Sequence, residues 1–221
     1  MLRVLLIVLS FGGALPVSAG PAPAPTYEQG MTALEANDYP SALRIFRKVA
    51  ATKDRKQKYR RAHYQLALMY LNGTGVKKNE REAYREVGLA ADYNGTIPGD
   101  GFANAIYLQG TMVRDGIGVK RNYTAARFDF KKATNLGHKL AAYEFAQLSK
   151  FNTIGGQRKI LIREGRVSQL MYMLIARVDG DKRAEIQIEQ LCKSLAPDEI
   201  SEATDGARDY FKWDVGSKIK C

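Results

Sequence analysis

Few side chains in this chain are equipped for chemistry. Its 221 residues include two histidines, His63 and His138, and two cysteines, Cys192 and Cys221. Neither histidine has companions at metal-ligand spacing, so solvated positions on helix surfaces are the expectation for both. There is no Gly-x-Ser-x-Gly elbow and no Gly-x-x-x-x-Gly-Lys-Ser/Thr phosphate loop. Neighbouring carboxylates such as Asp198 and Glu199 are common on helices and do not by themselves indicate acid–base work. The residues therefore read as a non-enzyme without metal or cofactor. A cryptic hydrolase would need a convergent site that spacing along the chain cannot display. The cysteines both lie toward the C-terminus, where a single bridge closing a 30-residue loop is the simplest expectation. Free thiols and pairing between chains are the alternatives.

Charge and tyrosine are more plentiful. Lys and Arg total 34 against 23 Asp and Glu, a formal net charge of +11 that favours acidic partners. The first 19 residues carry one cation, Arg3, an apolar run Val4 to Leu9, and the small-residue pattern Val17-Ser18-Ala19. This pattern predicts a signal peptide cleaved after Ala19, since the apolar run is too short for a membrane span. The predicted location is then the periplasm, with secretion as the second choice. An exported basic protein meets acidic protein surfaces, anionic lipid or envelope polymers, and no nucleic acid partner is expected. Residues 20–26, Gly-Pro-Ala-Pro-Ala-Pro-Thr, read as an extended linker.

Positioning falls to helices. From Tyr27 to Trp213 apolar residues recur at intervals of three and four, with almost no proline inside the segments. The pattern also repeats. Ala62, Tyr64, Ala67, Met69, Gly73, Gly75, Val76, Asn79 and Ala83 return as Ala105, Tyr107, Gly110, Met112, Gly116, Gly118, Val119, Asn122 and Ala126, each offset by 43. A third copy starts at Ala141 with Tyr143 and Ala146, but reads Asn152-Thr153-Ile154-Gly155-Gly156 where Gly-x-Gly-Val is due. One such hairpin cannot bury its apolar faces, whereas stacked hairpins can.

These residues resemble the Sel-1-like repeat, a relative of the tetratricopeptide repeat. The likeness is carried by Ala62 to Ala91 and Ala105 to Gly137, with Tyr27 to Ala50 as a degenerate leading hairpin and Gln169 to Asp181 as a later second helix. It implies an all-α, right-handed solenoid of stacked helix hairpins over residues 27–213, a capping helix near Leu195 to Ala207, and a tail at 214–221. It also implies a protein-binding scaffold whose partner, on this export signal, is an envelope or membrane protein. A weaker similarity, resting on the insert around residues 93–102 and on Phe102 to Ala105, is to periplasmic repressors of exopolysaccharide synthesis, which implies restraint of a membrane sensor.

Two candidate surfaces follow. If the first helices line the concave face, Tyr64, Tyr107 and Tyr143 form a row with Tyr27, each three residues before a small residue. The row serves either packing between repeats or, with Thr111, Arg114, Gln147 and Lys150, contact with a partner. The second surface is basic: Arg60 and Arg61, then Lys77, Lys78, Lys120 and Arg121 at related positions of two copies. It is either a solvated face or a stripe for an acidic surface or polyanion.

Overall fold

The computed structural model describes residues 24–52, 57–91, 100–149, 162–211 and 221. The expected leader, most of the linker, the third-copy loop, the tail at 214–220 and Lys150 lie outside the described residues, as do residues 92–99 of the insert. Ten helices are present among the described residues: α1 (Tyr27–Glu35), α2 (Tyr39–Ala50), α3 (Gln57–Asn72), α4 (Glu80–Ala91), α5 (Asp100–Asp115), α6 (Tyr123–Asn135), α7 (Ala141–Ser149), α8 (Ile162–Val178), α9 (Ala184–Ser194) and α10 (Pro197–Phe211). Asp100 to Phe102, read from sequence as belonging to the insert, fall within α5.

Side chains at the turns set where helices begin. Thr26 caps α1 in a reciprocal box with Gln29, and Asp38, Asn79 and Asn122 accept the N–H of Ser41, Glu82 and Ala125 at the starts of α2, α4 and α6. The two Gly-x-Gly-Val turns close identically: the N–H of Asn79 reaches the carbonyl of Tyr70, and that of Asn122 reaches Val113, each at 2.9 Å. Their glycines, Gly73, Gly75, Gly116 and Gly118, all have φ near +70 to +80°. The second glycine also presses on the preceding hairpin. A Cβ on Gly75 would lie 2.5 Å from Cβ of Tyr39 at the start of α2, and one on Gly118 only 2.0 Å from the Glu80 carbonyl oxygen at the start of α4.

Within a hairpin, volume is matched across the two helices. A Cβ on Gly30 would meet the Phe46 ring at 2.5 Å, and one on Gly110 the Phe130 ring at 3.0 Å. Ala67 shares a core with Val87, which stands where Phe130 stands one repeat later. Each helix packs on the next from α1 to α9, and α3 also touches both α1 and α5 directly. First helices therefore crowd the inner side while second helices form the outer layer. Three apolar cores run in sequence along the stack.

The end is closed as the pattern predicts. Leu170, Met173, Leu174, Ile175 and Ala176 of α8 are fully buried. The helix α10 packs on α8: Gly206 faces the Met171 sulfur, Arg166 pairs with buried Glu199 at 3.0 Å, and the Tyr210 hydroxyl donates to the Thr134 carbonyl of α6. Glu199 also accepts the Ala196 N–H, which completes the start of α10. Cys192 and Cys221 form a disulfide with Cα atoms 5.5 Å apart, tying the last residue to α9.

Candidate interaction surfaces

The tyrosine row lies on α3, α5 and α7, where Tyr64, Tyr107 and Tyr143 are all half-buried. Burial raises the hydroxyl pKa of Tyr64 and of Tyr107. Where ring partners are resolved, they come largely from the next first helix or the turn before it. Gln65 donates to the Tyr27 hydroxyl at 3.2 Å, with Arg61 over its ring. Tyr107 stacks on His138 with centroids 4.0 Å apart and meets Phe130 at 5.5 Å. The Tyr143 hydroxyl accepts a 2.8 Å bond from Gln187, and the Arg183 guanidinium sits 4.1 Å above its ring. Packing between repeats is thus realised at Tyr27, Tyr107 and Tyr143, and each of these residues remains partly exposed.

Beside them, Thr111 donates its hydroxyl to the Tyr107 carbonyl, and Gln147 is half-buried. Arg114 is engaged on both sides, by Asp115 at 2.7 Å and by Glu144 at 2.6 Å. Hydrogen bonding to Asp115 in turn holds the Arg114 guanidinium firmly protonated. Glu144, buried on α7, accepts from Arg183 as well, at 2.9 Å, so one carboxylate ties α5, α7 and the start of α9 together. Glu144 was not among the sequence candidates. Its signal was position, because it stands between Ala142 and Phe145 on a face of α7 that is otherwise apolar.

Both histidines depart from the expectation of solvated positions. His63 is buried, its Nδ1 2.5 Å from the Glu86 carboxylate of α4, with Tyr59 edge-on to its ring. Glu86 is itself buried and reaches Arg85 through its other oxygen. His138 is half-buried against Tyr107, and desolvation lowers its pKa. The causes differ: His63 faces α4 within its own hairpin, whereas His138 lies in the turn between α6 and α7, where one hairpin meets the next, and two isolated histidines give no periodicity that could reveal either place.

The basic residues separate into two places. Arg60 and Arg61 are half-buried near the start of α3, while Lys77, Lys78, Lys120 and Arg121 are exposed in the turns leading into α4 and α6. About 16 Å of α3 axis stands between Arg61 and the turn, so one continuous stripe is not formed. Near the disulfide a cavity of about 540 Å³ opens between Arg177, Glu185, Ile186, Glu189 and Lys193, with walls of mixed charge. Among the described residues no three His, Cys, Asp or Glu side chains gather as a metal site, and no helix is long and apolar enough to cross a membrane.

Comparison with known proteins agrees with the hairpin geometry. The Sel1 repeat family matches residues 60–85 and 103–138, the two copies offset by 43. The structure is similar to that of a Sel1 repeat protein from Oxalobacter formigenes, at 22% identity and a TM-score of 0.61 over 83% of this chain and 70% of that one. A looser likeness, at 18% identity and a TM-score of 0.45 over 84% of this chain and 44% of the other, is to a protective antigen of uropathogenic Escherichia coli displaying an SLR fold. No curated protein sequence is significantly similar to the chain. The chain is thus an α-solenoid of helix hairpins, two of whose segments, residues 60–85 and 103–138, match the Sel1 repeat.

Proposed function

We propose that this chain is an exported, periplasmic scaffold that binds a protein partner along its inner side, the partner being a membrane sensor or another envelope protein. One observation carries the reading. Repeat after repeat, the first helices bring a half-buried tyrosine to equivalent places, Tyr64, Tyr107 and Tyr143, each packed yet partly exposed, with Thr111 and Gln147 on the same helices as Tyr107 and Tyr143. Rigid aromatic edges lose little entropy on binding and make effective interface anchors. The disulfide fits an oxidising compartment. The restraint of a sensor, in the manner of periplasmic repressors of exopolysaccharide synthesis, belongs to the same proposal.

The test is cross-linking of the tagged protein in its native envelope at two salt concentrations. One dominant envelope protein captured at both salts, and lost with Thr111→Arg, supports the scaffold; capture unaffected by that substitution sinks the inner-side assignment. A second reading, an anionic polymer or lipid as ligand, is favoured by the exposure of Lys77, Lys78, Lys120 and Arg121 at equivalent turns. Its binding falls with salt.

A further inference from the structure

The 43-residue offset allows the outer surfaces of α4 and α6 to be compared position by position. On α4 and the turn before it the exposed and half-buried positions carry both signs, and two cations are paired, Lys78 with Glu80 at 3.0 Å and Arg85 with Glu82 at 2.9 Å, while Lys77 and Arg81 are exposed beside them. On α6 the same positions have changed type. Tyr123 replaces Glu80, Ala125 replaces Glu82 and Phe128 replaces Arg85, while Lys131 stands in place of Gly88. The only carboxylate within α6 is Asp129, and it is half-buried at the position equivalent to Glu86.

The result is an outer face unlike that of α4; α2 is also free of carboxylates and exposes Arg44, Arg47 and Lys48, but α6 adds exposed rings. Phe128 is 62% exposed and Tyr123 48%, and these are two of the four large apolar or aromatic side chains so exposed among the described residues. The buried side of the helix, Ala126, Phe130 and Ala133, is complete without them. Cations surround the rings. Arg121 lies 5.4 Å from the Tyr123 centroid, Arg127 5.9 Å from that of Phe128, and Lys120 and Lys131 are exposed at the turn and on the helix. On a neighbouring element, Asp115 at the end of α5 is bound by Arg114 and also faces Arg121.

We infer that the outer face of α6 seats on an anionic lipid surface, with Phe128 entering the headgroup boundary and Lys120, Arg121 and Lys131 meeting lipid phosphates. The inference deepens the anionic-ligand reading and is independent of the inner-side scaffold. Charge complementarity calls for an anionic occupant, and the rest of the face chooses among anions. A soluble polyanion has no use for a protruding phenyl ring. Protein interfaces are depleted in lysine and seat their aromatic anchors in pockets, whereas here a ring projects from a single helix of the outer layer. Long basic side chains around an aromatic ring suit the membrane interface, where the stems follow the apolar boundary and the charges stay in water.

The experiment is co-sedimentation of the purified protein with vesicles of phosphatidylcholine alone and of phosphatidylcholine containing 30% phosphatidylglycerol, a composition of about one anionic lipid in three that gives the surface its charge. Poly-L-glutamate serves as the soluble anionic probe. All variants carry the same termini, so affinity arising elsewhere in the chain cancels. Expected are binding only to the anionic vesicles, a loss of about 25-fold for the Lys120→Ser/Lys131→Ser pair at about fivefold per cation, and a loss of about tenfold for Phe128→Ser. Both variants alter exposed positions, so unchanged melting temperatures are expected. Equal binding to the neutral vesicles, or no binding to the anionic ones, overturns the inference. If the lysine pair weakens binding to vesicles and polyglutamate alike while Phe128→Ser changes nothing, the anionic-ligand reading survives and the lipid assignment fails.

Discussion

Substituting Gly118 by alanine tests how the hairpins are joined. Two costs are expected, and neighbouring glycines separate them. The first is conformational: at φ +70° an L side chain is strained by about 1 to 2 kcal/mol. Gly137, at φ +82° with nothing within 4 Å of its built Cβ, bears that cost alone. Gly116, in the same turn at φ +79°, adds only ordinary contact at 3.4 Å. The second cost is specific to Gly118, whose Cβ would fall 2.0 Å from the Glu80 oxygen and 2.5 Å from its carbonyl carbon. These are backbone atoms at the head of α4 and cannot rotate away. Non-bonded atoms settle well above 3 Å, so the turn must retreat by more than about 1 Å and push a pair of packed hairpins apart. Overpacking of this kind costs about 1 to 3 kcal/mol beyond the strain. In denaturant unfolding followed by far-ultraviolet circular dichroism, Gly137→Ala and Gly116→Ala should therefore each lose about 1 to 2 kcal/mol, and Gly118→Ala about 3 or more. For a domain of this size the extra loss lowers Tm by several degrees. A Gly118→Ala variant no less stable than Gly137→Ala would refute the claim that the turn locks one repeat onto the preceding one.

Three further outcomes can be measured on the same protein. Burial pushes the Asp129 carboxyl up to about 6 against the pull of Lys132, so the native state keeps a proton that the unfolded chain releases from about pH 4 upward. Its contribution therefore becomes increasingly unfavourable as pH rises to 6 and is constant beyond; Asp129→Asn should match the parent near pH 3.5 and exceed it at pH 8 by about 1 kcal/mol after solvent screening, with equal stability at pH 8 counting against the assignment. Reduction of Cys192–Cys221 should cost roughly 3 to 4 kcal/mol in the loop-entropy model and speed amide exchange in α9 and α10 before α3 to α6; uniform exchange along the stack would contradict this. Glu144→Gln removes the charge shared by Arg114 and Arg183, and because both guanidinium groups remain partly solvated the expected loss is about 2 kcal/mol, readable as a lower denaturant midpoint, rather than the larger loss of a fully buried pair.

The repeating unit is legible in the sequence because that unit is local. Gly73 to Val76 and Gly116 to Val119 announce a turn through residues that alone tolerate its backbone, and Tyr64 to Ala67 and Tyr107 to Gly110 announce the faces that approach closely. Pro197 with Glu199 announces the closing helix for the same reason. Pairing at a distance is not legible in this way. His63 finds Glu86 23 residues away, Arg114 finds Glu144 after 30, and Arg183 reaches the same carboxylate from 39 residues on. The first meeting is fixed by the pairing of α3 with α4 within a hairpin and the other two by the stagger between hairpins, neither of which periodicity encodes. The signal that does exist is Glu86 itself, standing between Ala83 and Val87 on an apolar face, since a carboxylate there must be paired to be buried. Phe128 escapes notice for the opposite reason. Beside Phe130, it reads as core until helical spacing turns it outward.

Inner and outer layers divide the work of the stack in different ways. On the inner side, polar groups are largely committed to neighbouring repeats: Gln65 to Tyr27, Gln187 to Tyr143, and Arg114 and Arg183 to Glu144. Such bonds fix the spacing of the first helices, so a partner bound there, as proposed, would meet partly exposed rings already held in place and lose less entropy in ordering them. On the outer side, α4 carries three carboxylates among its cations and α6 only Asp129, so a difference between two otherwise matched repeats becomes a difference in what each can attract. The layers are separated by one helix–helix distance, about 8 to 10 Å between axes, and face opposite ways. A ligand on α6 therefore does not compete for space with one on the tyrosine row. Occupation of the outer face would instead raise the local concentration of the inner row near membrane proteins, which strengthens their capture without any new contact between the two surfaces.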